Sequence, residues 1–143
     1  SGELLGPDHV ATTLDALGPH RRGHGVRATE DPGILARIVS SGIGLEVCPA
    51  SNVALGVFPV LSQVPLRRLM DAGASIALGA DDPLLFGPRL ASQYAIAREH
   101  HQLSDTELAH LARSSINISL APQQIRQRLL TSVDEWLDRP PSI

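Results

Sequence analysis

One cysteine, two phenylalanines, one tyrosine and one tryptophan in 143 residues leave this chain poor in thiols and in aromatic surface. A lone Cys48 makes no internal disulfide and cannot by itself form a cysteine-rich metal site. No run approaches the roughly 18 apolar residues that cross a bilayer. The opening SGELLGPDHV has neither the basic start nor the apolar stretch of a signal peptide. Charge of one sign is also missing: 12 basic residues face 15 acidic ones, for a net charge of −3 and no basic block, which argues against a nucleic-acid grip. What is present is a 43% apolar chain long enough for one ordinary domain with a sizeable core. A cytoplasmic globular protein is expected, with no membrane or nucleic-acid partner.

Apolar periodicity divides the chain into alternating elements. In residues 8–18, Val10, Leu14 and Leu17 share one helical face and Gly18 supplies a stop. A short strand is expected around Arg21–Val26. Residues 31–41 predict a second helix, with Pro32 at its first position and Ile34, Leu35 and Ile38 as its stripe. A β-rich run follows at 43–49, a helix at 64–72 closed by Gly73, and a nearly continuous apolar strand at 74–80 that suits a sheet covered on both faces. Beyond Asp81-Asp82-Pro83 the chain turns helical at 89–101, 104–118 and 122–138, where Ser104 and Glu107 read as a capping box. The Pro-rich end, 139–143, reads as a frayed tail.

Strands alternating with helices predict an α/β fold with a parallel sheet. Right-handed crossovers then point all strand C-termini the same way, onto the rim where such folds place their chemistry. His24 closes the first strand, Cys48-Pro49 the second and Asp81-Asp82 the third. Strands two apart are separated by about 10 Å, so a His and an Asp leaning inward can share one metal or substrate. Three strands make a poor independent sheet, and a closed (β/α)8 barrel needs about 250 residues. The chain therefore reads as the last part of such a barrel, with an abrupt start.

Each candidate has a plain reading beside the chemical one. The glycines of Gly23-His24-Gly25 free the imidazole to project, yet a His in a Gly-rich turn is often only structural. Asp82-Pro83 suits a helix N-cap followed by Pro at N1, which leaves Asp81 unexplained; two adjacent acids after a buried strand are costly without a cation or donors. Glu46 reads as a sheet residue facing polar groups near the other end of its strand, and Cys48 as a small buried apolar side chain. Ser51-Asn52 reads as a cap or turn, with pocket lining as the alternative. His100, His101 and His110 read as surface residues, and Arg67-Arg68 as a solvated helix face.

Taken in order, S-G-E-L-L-G-P, R-R-G-H-G-V-R, L-E-V-C-P-A-S-N and G-A-D-D-P-L-L-F closely resemble the adenosine deaminase family of metal-dependent purine deaminases, from Ser1 to about Trp136. The resemblance implies a (β/α)8 barrel with one zinc ion on its C-terminal rim. It implies that Glu3, ending the family's H-A-G-E motif with Ser1 in place of Ala, protonates the purine N1. It implies that His24 orients the attacking water and serves as base or electrostatic stabiliser. Asp81 would be a zinc ligand, and Asp82 the carboxyl that contacts purine N7. N7 only accepts hydrogen bonds, so Asp82 must be protonated there, which burial beside ionised Asp81 would favour.

These residue types suit hydrolytic deamination. Water adds to purine C6 and ammonia leaves; zinc makes the water nucleophilic near neutral pH, and an acid delivers a proton to N1. The family's other zinc ligands, an H-x-H pair and the His opening H-A-G-E, are not in this sequence, whose histidines stand at 9, 20, 24, 100, 101 and 110. Arg22 and Ala80 are minor departures. The distinct H-x-E and P-C-x-x-C zinc deaminases are excluded by the single cysteine. The expectation is that these residues act as the C-terminal part of a deaminase of about 330 residues and are inactive alone. The alternatives are a binding or assembly module that retains deaminase motifs, and another amidohydrolase-like hydrolase. Adenosine, aminodeoxyfutalosine and adenine are the candidate substrates.

Overall fold

A computed structural model describes residues 2–18 and 20–139. The chain runs α1 (Pro7–Leu17), β1 (Arg21–Gly23), α2 (Pro32–Ser40), β2 (Gly44–Val47), α3 (Pro49–Ala54), α4 (Leu66–Asp71), β3 (Ile76–Leu78), α5 (Pro83–Phe86), α6 (Leu90–His101), α7 (Asp105–Asn117) and α8 (Gln123–Leu137). Short 3-10 turns cover Val26–Glu30 and Leu61–Gln63. The three strands form one parallel sheet in the order β1-β2-β3, with Gly23 opposite Glu46 and Glu46 opposite Ala77. The C-terminal third is helical.

Local signals account for most boundaries. Asp31 caps α2 by accepting from the backbone N–H groups of Gly33 and Ile34, with Pro32 at N1. The Ser104–Glu107 capping box is present at α7, and the stripe Ile34, Leu35, Ile38 is buried. The core joins those residues to Leu45, Val47, Ile76 and Leu78 of the sheet and to Leu66, Leu69, Leu108 and Leu111 of the later helices. At the free edge of β3, the Ile76 N–H donates to Ser114 Oγ of α7 at 2.7 Å, so α7 satisfies a ladder donor that has no strand partner.

Several expectations need correction. The first strand stops at Gly23 rather than Val26, because His24 (φ +64°) and Gly25 (φ +75°) turn the chain out of the sheet and into a 3-10 turn. The second ends at Val47, and Cys48-Pro49 opens α3, a helix that the apolar run concealed. In α1 only Val10 is fully buried; Leu17 is 73% exposed. His101 is buried rather than on the surface, and desolvation lowers its pKa from the usual histidine value, helped by the charges of His100 and Arg67. Arg67 is not merely solvated: it pairs with Glu107 and donates to the His101 carbonyl. His100 and His110 are exposed as expected. Of the tail, 140–143 lies outside the described residues. No helix among the described residues is long and apolar enough to cross a membrane.

Candidate active site

Strand alternation gives the sheet two unlike faces. Leu45, Val47, Ile76 and Leu78 point into the core, whereas Arg21, Gly23, Glu46, Cys48 and Ala77 border a cleft of about 330 Å³. The small and polar side chains on this second face leave room that branched residues would fill. Glu46 is thus not a remote sheet residue: it accepts from Arg21 inside the cleft that His24 and Asp81 also line.

Glu3 reaches this rim from outside the sheet. Gly2 adopts φ +72°, and a Cβ there would come within 2.4 Å of Val10 Cγ2, so only glycine lets the segment lie this close to α1. Arg27 fastens the segment on both sides, its N–H donating to Gly2 O at 3.1 Å and its Nη1 to Leu4 O at 2.8 Å. Glu3 Oε1 then lies 3.1 Å from His24 Nδ1, with both side chains mostly buried. The same oxygen accepts from Asn52 Nδ2 at 2.9 Å. Asn52 is wholly buried in α3, where its carbonyl takes the turn contacts from Val57 and Phe58 and its side chain reaches Glu3.

His24, Cys48 and Asp81, which follow β1, β2 and β3, bring one ligand atom each within 4.8 Å of one another. His24 and Asp81 manage this from left-handed backbone, φ +64° and +56°, a conformation that tilts both side chains toward the middle strand's end and is uncommon outside glycine. Cys48 is buried as expected. Its thiol is pushed up to about 11, by burial first, then by the charge of Asp81, with Glu46 and Glu3 adding and the Asp81 backbone N–H opposing. At neutral pH it is a protonated thiol and no nucleophile. Asp82 caps α5, its Oδ1 accepting from Leu84 N–H at 2.9 Å and Leu85 N–H at 3.3 Å. It is exposed, so burial gives no support to a protonated Asp82 in this chain.

With the Cys48 thiol protonated, the donor this cluster offers a divalent ion is the Asp81 carboxylate, with the His24 imidazole close beside it. A model of the family described as adenosine deaminase matches residues 1–136. The chain belongs to the adenosine deaminase family. Its members are metal-dependent, and this chain is 59% identical over 136 residues to a Streptomyces coelicolor protein named "Putative adenosine/adenine deaminase", covering 95% of this chain and 40% of that one. The crystal structure of adenine deaminase from Arthrobacter aurescens superposes with a TM-score of 0.93 at 32% identity, over 97% of this chain and 42% of that one. A cog1816 amidohydrolase from Burkholderia ambifaria, solved with bound Zn, shares the fold at 21% identity, with a TM-score of 0.84 over 96% of this chain and 39% of that one. The chain spans about two fifths of the length of these relatives, matching the C-terminal part of their barrels.

Proposed function

We propose that this chain forms the C-terminal rim of a zinc-dependent deaminase that hydrolyses the 6-amino group of adenine or its nucleoside, releasing ammonia. The observation that carries the reading is the convergence of Glu3, His24 and Asp81 at the strand C-termini: Glu3 Oε1 lies 3.1 Å from His24 Nδ1, and His24 lies in one cluster with Asp81. The names of the relatives, adenine deaminase and adenosine/adenine deaminase, support an adenine-type substrate.

In this reading water oxygen bonds to C6, N1 takes a proton, the exocyclic C–N bond breaks and ammonia departs, leaving a 6-oxopurine. A zinc ion held through Asp81 supplies the Lewis acidity that makes water nucleophilic at neutral pH. Glu3 gives its proton to N1, so that the charge of the addition settles on the ring nitrogen rather than on carbon. His24, with Nδ1 turned to Glu3, uses its other nitrogen to hold the attacking water, take its proton and pass it to the amino group that leaves as ammonia. The remaining hydroxyl proton returns to Glu3 as the 6-oxo group forms. Asp82 keeps Oδ2 clear of its capping bonds, and that oxygen is the part of the carboxyl free to contact the N7 side of the ring. The remaining metal ligands belong to the part of the barrel beyond this chain, which makes these 143 residues inactive alone.

The test is steady-state deamination of adenine and adenosine by the complete barrel carrying Glu3→Gln. Loss of about 100-fold or more in kcat with the metal content unchanged is expected for an absent general acid. Full activity in Glu3→Gln overturns the assignment.

A further inference from the structure

A free carboxyl group presents two equivalent oxygens, but the surroundings of Glu3 make them unlike. Asn52 Nδ2 donates to Oε1 at 2.9 Å, and His24 Nδ1 lies 3.1 Å from that same oxygen. Oε2 is thereby left as the oxygen that faces no described hydrogen-bond donor. A fully buried amide is costly unless it is used, and Asn52 spends its Nδ2 on Glu3, 49 residues earlier in the chain.

The frame that holds Asn52 is stiff. Its own N–H donates to Cys48 O at 3.0 Å, and its carbonyl accepts from Val57 N–H at 2.9 Å and Phe58 N–H at 3.3 Å. Two residues earlier, the Ala50 N–H donates to Oε1 of Gln93, itself fully buried, which ties α3 to α6. The helix thus fixes the point from which the Asn52 side chain reaches Glu3, and full burial leaves that side chain little room to swing elsewhere.

We propose that Asn52 is a positioning residue for the deamination: by occupying Oε1 it holds the Glu3 carboxyl in the one orientation that presents Oε2, and with it the transferable proton, to the ring nitrogen of the aminopurine. This rests on the reading of Glu3 as the proton donor. An amide donor suits the task because it stabilises Oε1 as an acceptor both before and after Oε2 gives up its proton, so the orientation survives the transfer. The alignment acts on the chemical step and leaves substrate binding nearly untouched, since small misplacements of a catalytic group are paid in rate.

The experiment is a double-mutant cycle in the complete barrel, measuring kcat, KM, metal content and thermal midpoint for Asn52→Ala, Glu3→Gln and the pair, with Asn52→Asp as a second probe. Ala removes the amide donor without adding a charge, and Asp keeps the volume of Asn while setting a second carboxyl beside Glu3, so the two together separate the hydrogen bond from packing. The expected result is a fall of about tenfold or more in kcat for both Asn52 variants, the size set by loss of a charge-assisted hydrogen bond. KM should change by less than about twofold, metal content should hold, and Asn52→Ala should cost almost nothing further in kcat once Glu3 is Gln. Wild-type kcat in both Asn52 variants overturns the proposal, as does an equal loss in the presence and absence of Glu3. Full activity in Glu3→Gln alone instead removes the proton-donor reading and the proposal with it, whereas a dead Glu3→Gln beside unaffected Asn52 variants sinks only the proposal.

Discussion

His24 and Asp81 sit in left-handed backbone, where an L-residue pays about 1–2 kcal/mol. Neither position is a glycine, although glycine would be cheaper, so the side chain at each is worth its cost for what it does at the rim. Asp81 is exposed and makes no described side-chain hydrogen bond. Replacing it by Gly relieves backbone strain of about the size that glycine's extra chain freedom costs. Asp81→Gly should therefore leave the thermal midpoint of the metal-free protein unchanged or slightly raised. A drop of more than about 4 °C in a thermal melt would show that the carboxylate is a structural partner. His24 and the Asp81-Asp82 pair could be singled out from their neighbours because Gly-flanked His and paired acids after an apolar run are local patterns. Asn52 could not, since only the fold brings it to a residue 49 positions away. The same holds for His101, whose burial depends on the turn at Leu61–Gln63 lying over it.

Helix ends were the most legible elements because capping is local chemistry. Asp31-Pro32, Asp82-Pro83 and Ser104–Glu107 each form the cap that their residue types suggest. Pro49 carries the same N1 signal for α3, but the apolar run before it continues the strand pattern up to the proline and hides the helix start. The Ser104–Glu107 box also reaches across elements, because Arg67 of α4 donates to the Glu107 carboxylate. That bond first, and then the Ser104 backbone and hydroxyl, lower the Glu107 pKa from 4.5 to about 2. A depressed carboxylate stabilises the fold above its unfolded pKa and loses that contribution as pH falls toward the folded value. Thermal melts of wild type and Glu107→Gln should thus differ by a constant gap above about pH 5.5 and converge as pH falls from about 4.5 toward 2. A gap that stays constant down to pH 2 would contradict the α4–α7 link.

At the scale of the molecule, β1 and β3 pair with no further strand among the described residues, and only α7 covers part of the β3 edge. Parallel sheets are stable when covered and closed, and this chain matches about two fifths of the length of its relatives. Large apolar side chains such as Leu84, 97% exposed, and Leu85, 72% exposed, stand near the rim without cover among the described residues. The parallel order, the convergence of the three strand ends and the helical C-terminus were all readable from apolar periodicity and right-handed crossover. The distances within the rim were not, because they depend on two left-handed residues and on a buried amide from α3. The most direct measurement of the central claim is the metal content of the complete barrel, by elemental analysis, before and after Asp81→Ala. The account predicts about one zinc per chain, falling well below stoichiometric in the variant. Full zinc retained in Asp81→Ala, or none in the parent, would contradict it.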